Sequence, residues 1–259
     1  MFNMFNIKDL SYVNKTFLGT EAVLYVCIVF LDITGFLTDV SGIIKFVGIL
    51  DCFVMAAYIY VSNRARISLS IAISLAFTLI ADFFLIFPGR DIRPGLLSFI
   101  FAHIVYLCII ENFKLKRILP ELVIRFGVAS VLSIPISRVA SYDYLSLYLM
   151  ALYGTTFVMN YINCILKVLD RYEGRAESMR CKAEIPNGFL KLLFVGLSLF
   201  ILCDINVALF NVLREGAMFR VCSVLMWVFY LPSQVLLVLA SSLIPACQTK
   251  KEMVLEDSQ

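Results

Sequence analysis

Long apolar runs alternate with short polar segments along almost the whole chain. Eight runs are long enough to cross the hydrocarbon core of a bilayer as a helix, which takes about 20 mostly apolar residues. They cover residues 20–38, 43–61, 68–87, 96–113, 121–139, 147–169, 189–213 and 221–244. The pattern predicts an all-α polytopic membrane bundle of eight transmembrane helices. It divides the chain into an N-terminal segment (1–19), a membrane domain (20–244) and a C-terminal tail (245–259).

The composition supports a membrane protein and excludes several other classes. Of the 259 residues, 61% are hydrophobic and 16% are charged, and the mean hydropathy is +0.91. Soluble domains have about 45–50% apolar and about 25% charged residues, so a soluble enzyme and a disordered chain are both excluded. The net charge of +3 is too small to indicate a nucleic-acid partner. One histidine and the lack of a CxxC pair also argue against a metal site.

The distribution of Lys and Arg between the loops predicts the orientation of the bundle. Fifteen of these residues fall at the end that holds both chain termini, against five at the other end: Arg90, Arg93, Arg138, Arg214 and Arg220. Because cytoplasmic loops carry the excess of positive residues, both termini are predicted to be cytoplasmic. Arg125 lies only a few residues into the fifth run, and its long side chain is expected to extend to the cytoplasmic surface.

Ionisable residues inside the runs are candidate functional groups, because they are costly in a membrane unless they are paired or hydrated. At 1.5 Å per residue, Asp82, His103 and Asp204 lie about 8, 11 and 13 Å from the non-cytoplasmic surface. Lys45 and Tyr153 lie somewhat shallower, and Tyr230 and Gln234 slightly deeper, so six spans bring polar groups to a similar level. This convergence predicts one wet cavity in the non-cytoplasmic half. Tyr106 shares a helix face with His103, and Asn160 shares one with Tyr153.

Structural roles are alternatives for several of these groups. Asp32 could pair with Lys45 simply to neutralise both charges, and the single histidine, His103, could be a packing residue. Ser74 and Thr78 follow one face of a helix with Asp82, and such stripes often only join helices together. A purely structural role is less favoured for Asp82 and Asp204. Burying two carboxyl groups on separate spans costs free energy, which indicates that the groups have a function.

The third and seventh spans contain similar segments. Residues 79–84 (LIADFF) correspond to residues 201–206 (ILCDIN), with an aspartate at the same position in each. Four spans separate the two segments, so both helices run in the same direction. The match is short, and it is compatible with a 4+4 internal duplication of the bundle.

The motifs around these polar residues resemble those of the YhhN-like lysoplasmalogenase family. They are residues 79–88 (LIADFFLIFP), Gly95, Phe99, residues 102–106 (AHIVY), Lys45, Tyr153-Gly154, Phe200 to Asp204, and Tyr230 through residues 234–237 (QVLL) to Ser241. The set occurs in the family's order over roughly residues 20–244. Three positions depart from the family: Ala81 stands where glycine is usual, Cys203 where serine is usual, and Phe46 where a small residue is common.

The resemblance implies hydrolysis of the vinyl ether bond of lysoplasmalogens. The products would be a fatty aldehyde and glycerophosphoethanolamine or glycerophosphocholine, and no cofactor is expected. Eukaryotic members are similar proteins of the endoplasmic reticulum membrane. The implied partners are a lysophospholipid substrate and membrane lipid, and a homodimer is compatible with the sequence.

The polar residues suit this chemistry. Protonation of the vinyl ether gives an oxocarbenium-like cation that water captures, and a pair of carboxyl groups can supply the acid, the negative charge and the held water. We expect Asp82 and Asp204 to be this pair and His103 to orient water or shuttle a proton. Lys45 is expected to meet the substrate phosphate. Substrate contacts are expected from five further residues: Tyr106, Tyr153, Asn160, Tyr230 and Gln234.

Two other functions suit the same pattern. Intramembrane carboxyl groups and a 4+4 repeat are also found in proton-coupled transporters, here for a small amphiphile. A catalytically inactive member of the family that binds lipid is the other alternative. Flux into vesicles without product formation would favour a transporter, and intact Asp82 and Asp204 argue against an inactive protein.

Overall fold

The computed structural model describes residues 11–87, 89, 91–138, 143–172, 186–213 and 215–245, and these form eight α-helices. The predictions for residues 1–10, for residues 173–185 of the longest loop, for the C-terminal tail from residue 246, and for Arg90 and Arg214 lie outside the described residues. The helices are α1 (Tyr12–Thr34), α2 (Thr38–Asn63), α3 (Arg66–Ile86), α4 (Ile92–Ile110), α5 (Leu115–Ser137), α6 (Tyr144–Tyr172), α7 (Asn187–Leu213) and α8 (Ala217–Ser242).

All eight helices are long and apolar enough to cross a membrane, so the prediction of an all-α bundle with eight membrane-spanning helices is confirmed. Every helix begins earlier than the hydropathy predicts, and the difference is largest for α1 and α5. Helix α1 begins at Tyr12, because the Ser11 side chain caps it by accepting a hydrogen bond from the Asn14 N–H. Helix α5 begins at Leu115 and continues through Pro120, where a proline near a helix start removes only one backbone hydrogen bond.

Successive helices run in opposite directions, which defines two ends of the bundle. Helices α1, α3, α5 and α7 end at the upper end, where α2, α4, α6 and α8 begin, and the lower end holds their opposite ends. At the α1–α2 turn, Gly35 adopts the left-handed conformation (φ 65°) and donates its N–H to the Leu31 carbonyl at 2.9 Å. Glycine adopts this conformation without the steric cost that a Cβ would bring.

Two helix pairs, α3–α4 and α7–α8, pack so closely that a Cβ in place of a glycine at the contact would be crowded. A Cβ on Gly95 of α4 would lie 3.2 Å from the Ala81 carbonyl oxygen of α3. A Cβ on Gly196 of α7 would lie 3.3 Å from the Ser233 carbonyl oxygen of α8. Small residues at such contacts let helix backbones approach within a membrane. This packing fixes the heights of Asp82 and Tyr230, which are close to these contacts in sequence.

Helix α8 occupies a central position in the bundle, and α5 a peripheral one. Helix α8 packs against α1, α2, α3 and α7, whereas α5 packs chiefly against α6. The outer face of α5 exposes large apolar side chains, including Val123 and Val131, as expected of a face in contact with lipid. Helices α3, α4, α6, α7 and α8 surround a space inside the bundle that contains Asp82 and Asp204.

Arg125 corrects one expectation from the sequence. Its side chain is completely buried at the α5–α6 contact instead of reaching a surface. It donates hydrogen bonds to the Asn160 Oδ1 at 2.7 Å, to the Thr156 carbonyl at 3.3 Å and to Glu121 Oε2 at 3.2 Å. A charged group turns inward when such partners replace its hydration, and the polar face of α6 provides two of them.

Candidate active site

A cavity of about 150 Å³ lies inside the bundle, nearer its upper end, and it contains both candidate carboxyl groups. Five helices contribute to its wall: α3, α4, α6, α7 and α8. Most of the lining is apolar or aromatic, and the volume suits several water molecules or the reacting part of a lipid. The lining residues are Asp82, Leu85, Leu96, Phe99, Tyr153, Phe200, Cys203, Asp204, Val207, Met226, Trp227 and Tyr230.

Asp82 is the more enclosed of the two carboxyl groups. It lies one turn from the end of α3 and is only 4% exposed. One of its oxygens, Oδ2, accepts a hydrogen bond of 2.8 Å from the hydroxyl of Tyr230 on α8. Tyr230 is its one hydrogen-bond partner within the part of the chain that the structure describes. The carboxyl group is thus held in position by one donor while it faces the cavity.

Asp204 has an equivalent partner on a different helix. Its Oδ2 accepts a hydrogen bond of 2.6 Å from the hydroxyl of Tyr153, which belongs to α6. Asp204 is half-buried, and the neighbouring Cys203 also lines the cavity. The structure therefore brings together Asp82, Asp204, Tyr153 and Tyr230, from four helices, as two tyrosine–carboxyl pairs around one cavity.

His103 lies behind the cavity wall and does not line it. The imidazole is fully buried and packs against Phe157, Tyr153 and Phe200, with ring centroids 4.7, 5.5 and 5.5 Å away. Neither ring nitrogen has a hydrogen-bond partner among the described residues. Its neighbour Tyr153 donates the hydrogen bond to Asp204, so His103 contacts that carboxyl group only through another side chain. In this position His103 can hold Tyr153 in place by packing against it. Its predicted role in proton transfer stays a prediction.

Three further predicted contact residues also lie away from the cavity. Tyr106 is buried with its hydroxyl beside Ser74 of α3, and the Gln234 amide donates a hydrogen bond of 3.1 Å to Ser233 Oγ. Asn160 belongs to the Arg125 cluster: its Oδ1 accepts from the guanidinium, and its amide donates to the His103 carbonyl at 2.7 Å. Asn160 thereby connects α4, α5 and α6 and has no place in the cavity wall.

Lys45 forms the ion pair with Asp32 that the sequence left as an alternative. Its Nζ lies 2.8 Å from each oxygen of that carboxylate. The same Nζ lies 5.0 Å from the ring centroid of Trp227, which is a cavity-lining residue. Lys45 therefore contacts the outside of the cavity wall, one aromatic ring away from the space that a substrate would fill.

Sequence reasoning missed two residues of interest. Trp227 is the one tryptophan of the chain and precedes Tyr230 by three residues, so it shares a helix face with Tyr230 and Gln234. This shared helix face could have identified Trp227 from the sequence. Glu21, in the polar first part of α1, is 3% exposed and lies beside Asp51 and Cys52 of α2, with 3.7 Å between Cys52 Sγ and Glu21 Oε1.

Chemically, the site offers two acids, two phenols and a thiol against an apolar wall. Among the described residues, no group of three His, Cys, Asp or Glu side chains could hold a metal ion together. The arrangement can donate and accept protons at two positions around one small space. Its apolar walls would also hold a hydrocarbon chain.

Comparison with known proteins gives one informative result. No curated protein and no solved structure matches the chain. The model of the YhhN family matches residues 43–241, which are about three quarters of the chain and include α3 to α7 complete and almost all of α2 and α8. All four residues of the two tyrosine–carboxyl pairs lie inside the matched region. The chain therefore belongs to the YhhN family.

Proposed function

We propose that this protein is a lysoplasmalogenase, which hydrolyses the vinyl ether bond of 1-alkenyl lysophospholipids to a fatty aldehyde and a glycerophospho-alcohol. The observation that supports this most strongly is the presence of Asp82 and Asp204 on the wall of one cavity, each fixed by a tyrosine. Membership of the YhhN family agrees with a hydrolase of this kind.

The reaction begins with a proton transfer to carbon. One carboxyl group, in its neutral form, donates a proton to the β-carbon of the vinyl ether, and the electron pair of the double bond forms the new C–H bond. The α-carbon and the ether oxygen then share a positive charge. The second carboxyl group, as the carboxylate, stabilises this cation in the way that a carboxylate does in glycoside hydrolysis. An apolar cavity strengthens that attraction, because little water screens it.

Water then completes the hydrolysis. The carboxylate accepts a proton from a water molecule as its oxygen bonds to the α-carbon, which gives a hemiacetal. The hemiacetal collapses when its hydroxyl loses a proton and its C–O bond to the glycerol breaks, and the alcohol leaves with a proton from a carboxyl group. The net change consumes one water molecule. Tyr153 and Tyr230 occupy one oxygen of each carboxyl group, so the remaining oxygens can serve the reacting atoms.

The wall of the cavity suits a single hydrocarbon chain. Leu85, Leu96 and Val207 lie close to the upper ends of their helices, while Phe99 and Phe200 lie deeper. A lysolipid that enters from the upper leaflet would keep its head group at the upper end and place its vinyl ether between the carboxyl groups. The transporter alternative gains no specific support, because every helix segment that lines the cavity is continuous there.

Replacement of each carboxyl group tests the proposal. Asp82→Asn and Asp204→Asn should each lower aldehyde release from an alkenyl lysophospholipid by at least about 100-fold, because acid–base catalysis contributes about 10²–10⁴-fold. Asp51→Asn is the matched control, since Asp51 lies in α2 and does not line the cavity. Near-normal turnover in either cavity variant would remove that residue from the mechanism.

The cellular setting is also a proposal. The chain is a multi-pass membrane protein. We propose that both termini are in the cytoplasm, on the basis of the loop charges. For a eukaryotic protein we propose the endoplasmic reticulum membrane, as the family resemblance implies. A protease site added after residue 259 should be cut from the cytoplasmic side of sealed microsomes. The homodimer stays a prediction, to be tested by the mass of the purified protein.

A further inference from the structure

The Asp32–Lys45 ion pair lies at the upper end of the bundle, where α1 ends and α2 begins. Asp32 is two residues before the end of α1, and Lys45 is seven residues after the start of α2. Lys45 Nζ lies 2.8 Å from both carboxylate oxygens, and the Ser41 hydroxyl donates to Asp32 Oδ1 at 2.7 Å. The side chains of Lys45 and Asp32 are 14% and 9% exposed, so the pair is mostly buried with a small part at the protein surface.

Two aromatic rings connect this ion pair to the candidate active site. Lys45 Nζ lies over Trp227, and Trp227 meets Tyr230 edge-to-face with ring centroids 5.2 Å apart. Tyr230 donates its hydroxyl hydrogen to Asp82. A lysolipid with its vinyl ether beside Asp82 would therefore have its head group on the side of the cavity where Lys45 and Asp32 lie.

The charge of the pair restricts which head group can bind there. Lys45 alone would attract any phosphate, but its charge is already neutralised by Asp32. A phosphate without a cation would take Lys45 and leave a mostly buried carboxylate unpaired, which is strongly unfavourable. A zwitterionic head group avoids this cost, because its phosphate can replace Asp32 as the partner of Lys45 and its cation can replace Lys45 as the partner of Asp32.

We propose that Asp32 and Lys45 together form a receptor for a zwitterionic phosphoethanolamine head group. Lys45 binds the phosphate, and Asp32 binds the primary ammonium. Ethanolamine fits better than choline, because Asp32 accepts hydrogen bonds from its present partners and a trimethylammonium group has no N–H to donate. This inference rests on the proposed function for the placement of the lipid chain.

The family match by itself does not assign this site. The matched region begins at residue 43, so it contains Lys45 and not Asp32. The proposal therefore depends on contacts that the structure shows between α1 and α2.

Binding of uncleavable lipids tests the head-group site separately from catalysis. Three 1-alkyl lysophospholipids with the same chain would be titrated into the full-length protein in nanodiscs: one with ethanolamine, one with N-acetylethanolamine and one with choline. The fluorescence of Trp227, the one tryptophan, reports binding because its ring contacts both Lys45 and the cavity. Wild-type protein should bind the ethanolamine lipid about 10-fold more tightly than the N-acetylated lipid, a modest ratio because the pair is partly exposed. The affinity for the choline lipid should lie between those for the ethanolamine and N-acetylethanolamine lipids.

Variants sharpen this result. Asp32→Asn should abolish or reverse the preference, since Lys45 is then an unpaired cation that favours the anionic N-acetylated lipid. Asp39→Asn is the matched control, because it removes an exposed carboxylate near the same end of α2 and should keep the wild-type ratio. Equal affinity of the wild-type protein for the ethanolamine and N-acetylethanolamine lipids would overturn the proposal, even if Asp32→Asn failed to fold. A folded Asp32→Asn variant with the wild-type ratio of these two affinities would overturn it as well.

Failure of this inference and failure of the proposed function give different results. Wild-type protein that prefers ethanolamine lipids but releases no aldehyde from the alkenyl lipid would retain the receptor and exclude the hydrolase. Aldehyde release without any preference between the uncleavable lipids would retain the hydrolase and exclude the receptor.

Discussion

Two polar clusters inside the bundle show how differently intramembrane polar residues can be used. Around Arg125, the guanidinium donates hydrogen bonds to the Asn160 amide oxygen and to the Glu121 carboxylate, and the side chain is packed between α5 and α6. Around Asp82 and Asp204, each carboxyl group has a single tyrosine partner and faces a cavity. A buried polar residue therefore indicates a reactive site when its partners leave hydrogen-bonding capacity beside an open space. When its partners and packed neighbours leave no open space beside it, the residue stabilises the packing.

The largest effect after loss of a carboxyl group should come from loss of its tyrosine. Tyr153→Phe and Tyr230→Phe each remove a hydrogen bond to an acid, and such bonds contribute about 1.5–3 kcal/mol, which corresponds to about 10–100-fold in rate. We expect kcat to fall in this range while the variants remain folded. The matched control is Tyr161→Phe, since Tyr161 on α6 contacts Ser198 and Phe194 away from the cavity. If all three variants kept the same kcat, the tyrosines would have no part in fixing the carboxyl groups.

An intermediate effect is expected at Lys45, which touches the cavity wall only through Trp227. Lys45→Met should raise KM for the lysolipid by about 10-fold with little change in kcat, because the residue binds a part of the substrate that does not react. Lys167→Met is the matched control, because Lys167 pairs with Glu111 at the lower end, 3.4 Å away. A loss confined to kcat would contradict the assignment of Lys45 to the head group.

Replacement of Arg125 should have the smallest effect on catalysis, and its main effect should be a loss of stability. Arg125→Leu should lower the free energy of unfolding by about 2 kcal/mol, less than for a fully buried ion pair because Glu121 is 27% exposed. Turnover per folded molecule should change by less than about 3-fold, which a lipid-reconstituted assay normalised to folded protein would measure. A loss as large as that of the tyrosine variants would mean that this cluster contributes directly to the reaction.

The sequence allowed much of the fold to be predicted, because hydropathy reports span number and length directly. It placed Asp82 and Asp204 at similar depths, and the structure finds both at one cavity. Depth alone does not give the rotation of one helix against its neighbours. For that reason His103 was expected to act in catalysis, and Tyr106, Asn160 and Gln234 were expected to contact the substrate. The structure places all four side chains away from the cavity lining.

The sequence also did not determine which side chains pair with each buried charged residue. Arg125 was expected at a surface, and its burial depends on the polar face of α6 meeting α5, which no single span reveals. The pairing of Asp32 with Lys45 stood as one of two alternatives and needed the geometry of the α1–α2 turn. The 4+4 duplication stays a prediction. The tyrosine partners come from α8 for Asp82 and from α6 for Asp204, so they do not occupy corresponding positions in the two halves.

Asp82 and Asp204 are proposed to act on one substrate as a unit, and a double-mutant cycle would show whether they do. Single-turnover rates would be measured for wild-type protein, Asp82→Asn, Asp204→Asn and the double variant in the same lipid. Groups that share one reaction lose most of the rate with either change, so the double variant should be within about 10-fold of the slower single variant. Losses that simply multiply, or a single variant that keeps its full rate, would contradict a shared site.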